Sequence, residues 1–134
     1  MTTNASLPLV VLIESDGSQH RHADTMSRAG FRVVSLPARD ATVSDVLDQR
    51  PSVVAAELSA ANPTHTWEFV RGFRQDSNAR AIPCIVYGHS LDAHDIETAA
   101  RAGALWLELA PADGARLLAA ARGLVAGARK QASA

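Results

Sequence analysis

The sequence predicts a doubly wound α/β fold, a parallel sheet covered by helices on both faces. Three observations predict it. Five short apolar runs rich in Val, Ile and Leu recur at roughly even spacing. Several of them lack the in-out alternation of a half-exposed sheet, as expected of strands buried on both faces. The segments between them have helical spacing, so a strand-helix alternation repeats five times and implies right-handed crossovers.

The runs are Leu9 to Ile13, Phe31 to Leu36, Val53 to Ala56, Ile82 to Tyr87 and Leu105 to Leu109. Among the helices the clearest is Asp92 to Ala102, where Ile96, Ala99 and Ala100 form an apolar stripe opposite Asp95, Glu97 and Arg101. Trp67, Phe69, Val70 and Phe73 give the third helix a broad apolar face, and Leu117, Ala121, Leu124 and Val125 do the same for the last. Gly30 and Gly103 each stand just past a helical pattern and just before a strand, where a left-handed cap is wanted. Pro51 and Pro83 sit where strands begin, a place that tolerates a missing backbone donor. One domain over residues 7–126 follows, with 1–6 and 127–134 as short flexible tails.

Composition narrows the function. The chain has 134 residues, enough for one core without disulfides or a structural metal. Apolar residues make up 47%, yet no run approaches the roughly 18 that a membrane span needs. Met1 to Ser6 lacks the basic start and apolar stretch of a secretory signal, so a cytoplasmic location is expected. Cys84, the single cysteine, lies inside an apolar run and reads as a small core residue, which excludes disulfide and zinc frameworks. Thirteen basic residues stand against fourteen acidic ones with no basic block, which argues against nucleic acid as a partner. The only lysine is Lys130, in the tail.

Five features, in order, resemble the receiver domains of bacterial response regulators, over Leu7 to about Ala126. They are the acidic cluster Glu14-Ser15-Asp16 after the first strand, and Pro51 to Leu58 with Glu57 ending the third. Ile82 to Gly88, Ala100-Arg101-Ala102-Gly103-Ala104 and Pro111 after the fifth strand complete the set. The resemblance implies a flavodoxin-like fold with strand order 2-1-3-4-5 and a site at the carboxyl ends of the strands. In that family, acidic residues after strand one and an aspartate ending strand three hold magnesium. The aspartate becomes an acyl phosphate, and a hydroxyl after strand four and a lysine after strand five bind the phosphoryl oxygens.

Matched position by position, this chain departs from the pattern nearly everywhere. Glu14 is an acceptable first acid, but Ser15 replaces the second; the phosphoacceptor position holds Glu57, one methylene too long for in-line attack. Gly88 replaces the switch hydroxyl, Leu107 the switch aromatic and Ala110 the lysine. The resemblance therefore implies a pseudo-receiver of two-component, phosphorelay-type signalling: not an enzyme, with no cofactor and no resident metal. It would act by contact with a signalling protein or with itself, through the face of helix four, strand five and helix five.

Several residues keep two readings. Glu57 is either a solvated strand-end carboxylate or a constitutive mimic of a phosphorylated aspartate, although it lacks a phosphoryl group's three acceptor oxygens. Glu14, Asp16 and Glu57, with His20, His65 and His89 in loops on the same face, could gather a cation, but no pair has ligand spacing on one element. Trp67 reads as core. On the edge strand, Leu105, Leu107 and Leu109 are expected to share one face, leaving Trp106 and Glu108 on the other. Trp106 is then either packed under a flanking helix or the anchor of an interface. Two alternatives remain for the whole chain: another flavodoxin-like, cofactor-binding domain, or the receiver piece of a longer regulator. Against the first, Ser15 to His20 lacks a flavin phosphate cradle and no glycine-rich dinucleotide fingerprint occurs.

Overall fold

The computed structural model describes residues 7–15, 22–59, 63–89, 92–109 and 114–133, with side chains described as far as residue 127. Five strands, β1 (Leu9–Glu14), β2 (Arg32–Pro37), β3 (Val53–Glu57), β4 (Cys84–Gly88) and β5 (Leu105–Glu108), form one sheet in the order β2-β1-β3-β4-β5. All four pairings are parallel. Helices α1 (Ala23–Arg28), α2 (Val43–Asp48), α3 (Thr64–Gln75), α4 (Ala93–Arg101) and α5 (Gly114–Ser133) cover it, with a short 3-10 turn at Ala38–Asp40. The fold class and strand order are those the sequence predicts.

Side-chain alternation divides the core in two. In β1, Leu9, Val11 and Ile13 point to the layer that holds Val46 of α2, Phe73 of α3 and Ala99 of α4. Val10 and Leu12 point the other way, toward Met26 of α1 and Leu117, Ala121 and Val125 of α5. Every residue of β1 is buried, which explains why its run shows no alternation. The third helix buries Trp67, Phe69, Val70 and Phe73 together, as its spacing predicts. Cys84 is buried among these residues, and desolvation pushes its thiol up to about 12, so it behaves as a small apolar residue.

The helix ends follow from local chemistry. Asp92 caps α4 by accepting from the Asp95 amide at 2.9 Å, and Asp95 returns the bond to the Asp92 amide at 3.3 Å. The bond from the Asp95 amide holds the exposed Asp92 carboxyl below the usual carboxylate range. Gly30 and Gly103 take φ of 99° and 76°, the left-handed region. Beside them Phe31 donates to Met26 O and Ala104 to Ala99 O, while the two glycine amides donate to Ser27 O and Ala100 O, so both helices end in a Schellman pattern.

Three expectations need correction or refinement. Ala100 is exposed rather than part of the buried stripe of α4, because α4 meets the core through Ala99 and the half-buried Ala102 that follows it. Leu105 lies on the same face as Leu107 and Leu109, as expected, since it pairs with Ile85 of the α1–α5 layer, but it is not buried there. It stands at the start of the edge strand and is 45% exposed, whereas Leu107 and Leu109 pack with the α1–α5 layer. The tail after Gly127 does not end the helix: α5 runs on to Ser133. Alanine, arginine, lysine and glutamine are good helix formers, and they offset the glycines at 123 and 127.

Candidate functional site

The carboxyl ends of β1, β3, β4 and β5 lie side by side by the register of the sheet. Glu57 pairs with Tyr87, Tyr87 with Leu107 and Gly88 with Glu108. The backbone continues this alignment beyond the strands, where Leu58 N donates to Tyr87 O and Leu109 N donates to Gly88 O, each at 2.8 Å. Glu14, Ser15, Glu57, Gly88 and Leu107 are thus brought to one end of the sheet. Asp16, His20, Ala110 and Pro111 lie outside the described residues.

The central contact joins two positions that the sequence reading treated separately. Ser15 donates twice to one oxygen of Glu57, from its backbone amide at 3.0 Å and from its hydroxyl at 2.5 Å. Glu57 is half-buried, so the reading of it as a solvated strand-end carboxylate is corrected: it is tied to the loop after β1. An acidic residue at position 15 would keep the backbone donor but not the hydroxyl one. Glu14 turns inward and is 5% exposed.

Two further polar residues of this end are not flagged by the sequence. Thr66, 1% exposed in the first turn of α3, donates to Glu57 O at 2.7 Å and so fixes the backbone that carries the carboxylate. Its only sequence signal is a hydroxyl on an otherwise apolar helix face. Thr66→Val keeps the shape but leaves that carbonyl short of a partner, and should lower stability by about 1 kcal/mol, read as a lower denaturant midpoint at unchanged slope. His22 is also buried, with its ring edge-on to Tyr87 at 5.4 Å between centroids.

Around the candidate pocket the ligand count is low. His65 and His89 are exposed, and among the described residues no three His, Cys, Asp or Glu side chains are grouped to hold a metal ion. Gly88 brings no hydroxyl to this end. Leu107 packs half-buried against the α1–α5 layer, a position from which an aliphatic side chain has no hydrogen bond to exchange.

On the adjoining edge, Trp106 is 38% exposed, and it and Leu105 are the large apolar side chains that stand out among the described residues. The register pairs Trp106 with Val86, on the sheet face opposite Leu107. It lines a groove of about 430 Å³ with His89, Glu108 and Arg116, whose Nη1 donates to Glu108 O at 2.8 Å. Trp67, by contrast, is core, as expected. No helix of the described residues is long and apolar enough to cross a membrane.

Comparison of the sequence with protein-family models and with curated proteins finds no match. Solved structures do match. The signal receiver domain of a modulated diguanylate cyclase from Desulfovibrio desulfuricans G20 superposes with a TM-score of 0.72 at 18% identity, over 94% of this chain and 99% of that one. The signal receiver domain of a signal transduction histidine kinase from Syntrophus aciditrophicus gives 0.68 at 15%, over 90% and 91%. A CheY-like protein (tadZ) from Pseudomonas aeruginosa PAO1 gives 0.67 at 20%, over 87% and 98%. With its five parallel strands in the order 2-1-3-4-5 and its helices on both faces, the chain has the CheY-like fold of response-regulator receiver domains.

Proposed function

We propose that this chain is a signalling module of the two-component type that works by protein contact and without an acyl phosphate. One observation carries the reading. The carboxylate at the phosphoacceptor position already takes two hydrogen bonds from Ser15, the residue that stands where a second metal-binding acid would be. A nucleophile must be free to approach phosphorus in line, with its charge shared by a cation. Glu57 is held against a neutral donor instead, and Gly88 adds no hydroxyl to receive a phosphoryl oxygen.

The test is incubation with magnesium and acetyl phosphate, followed by intact-mass measurement. The expected result is an unchanged mass. A stoichiometric adduct that hydroxylamine removes would overturn the proposal.

Without a switch hydroxyl and a swinging aromatic, the face of α4, β5 and α5 has no second arrangement to adopt, so it should bind constitutively. Exposed Trp106 is the anchor we assign to it, because tryptophan is enriched among residues whose truncation costs most at interfaces. The alternative, in which Glu57 mimics a phosphorylated aspartate, needs its charge to be read by a neighbour. Its carboxylate points its bonds at Ser15, which favours a structural tie.

A further inference from the structure

A second groove, between α3 and α4, shares no lining residue with the one beside Trp106. It encloses about 420 Å³, and its polar lining is Arg71, Arg74 and Gln75 from α3 with His94, Thr98 and Arg101 from α4. Among the described residues no carboxylate lines it, in a chain whose fourteen acidic residues outnumber its thirteen basic ones. The spacing explains the concentration: 71, 74 and 75 recur at i, i+3 and i+4, and 94, 98 and 101 at i, i+4 and i+7, so each set occupies one face of its helix.

The cations differ in their freedom. Arg74 is half-buried and committed to structure, its Nη1 donating to Ile82 O at 2.8 Å and its Nε to Ala102 O at 3.3 Å. Arg71 is exposed and makes no ion pair among the described residues. Arg101 meets Glu97 at 2.5 Å, but both side chains are largely exposed, so the pair is readily exchanged for a better anion. From His94 to Arg101 the lining spans roughly 10 Å of helix axis.

We propose that this groove docks an acidic segment of a protein partner, a helix with carboxylates on successive turns. The inference is independent of the reading of Glu57 and Trp106. A small anion fits the groove less well, because a single phosphate reaches one or two of these groups and stays mostly in water, whereas pockets that hold small ligands bury most of the ligand surface. A row of carboxylates meets the whole row of donors, and Arg is the side chain suited to bidentate contact with each.

The test uses the intact chain and two blocked helical peptides, one with glutamate at i, i+4 and i+7 and a twin with glutamine there, followed by fluorescence anisotropy. The glutamate peptide should bind about tenfold more tightly, with a preference that shrinks as salt is raised. Arg71→Ala with Arg101→Ala should abolish the preference without changing the melting temperature, since both side chains are exposed. Arg28→Ala with Arg39→Ala removes the same charge elsewhere and should preserve it. Equal binding of the two peptides, or a preference that survives the Arg71 and Arg101 changes, would overturn the proposal. So would pyrophosphate binding that is lost in that double variant while the peptides remain indistinguishable, which would mark a small-anion site instead.

Discussion

Trp106→Ala is expected to weaken binding through the face of α4, β5 and α5 by about 30-fold or more, the equivalent of about 2 kcal/mol for a central tryptophan. Stability should change little by comparison, because Trp106 is 38% exposed before any partner arrives and contributes to neither of the two buried clusters. Glu57→Ala is the matched control. It removes the acceptor of both Ser15 bonds at a half-buried position, and the freed donors can turn to water at the strand end. The measurement is self-association by sedimentation, or binding to a captured partner, after thermal melting shows both variants folded. Loss of binding in Glu57→Ala with normal binding in Trp106→Ala would replace the constitutive-face reading with the charge-mimic one.

Ser15→Asp should destabilise the fold by about 2–3 kcal/mol in the absence of divalent cations, from a lost hydroxyl donor and a new carboxylate facing Glu57. Two carboxylates at this separation raise the pKa of at least one of them. The folded-state pKa then lies above the unfolded one, so the penalty is absent at low pH and develops as pH rises through the folded value. Magnesium should recover part of the loss, since the substitution supplies an oxygen ligand where the natural chain has a neutral hydroxyl. Ser15→Asn separates the two causes, keeping size while adding no charge. A Ser15→Asp variant that melts no lower than the natural protein, with and without magnesium, would show that Ser15 and Glu57 are not coupled as the geometry indicates. The natural chain itself is expected to bind magnesium more weakly than the micromolar range, as calorimetry would check.

Much of the architecture was legible because it follows from short-range rules. Apolar runs marked all five strands within two residues at either end, and Gly30 and Gly103 marked two helix ends because only a left-handed residue closes the Schellman pattern there. The residues at positions 15, 57, 88 and 107 were equally visible, and the departures from the family pattern at them are what the resemblance implies: a hydroxyl, a longer carboxylate, a glycine and an aliphatic side chain.

Sequence by itself therefore determined the layered α/β class and, through its resemblance, the strand order and the positions at which to look for a site. Tertiary structure alone decided how the remaining groups meet. Ser15 and Glu57 are 42 residues apart and become partners only because β1 and β3 are neighbours in the sheet. Thr66 reaches Glu57 O across a connection, and Leu105 is exposed because β5 is an edge, which no periodicity records. The basic groove is the plainest case: each arginine looks like an ordinary surface charge along its own helix. Only the packing of α3 beside α4 gathers them, because charge at a surface depends on which helix faces meet, and local spacing does not carry that information.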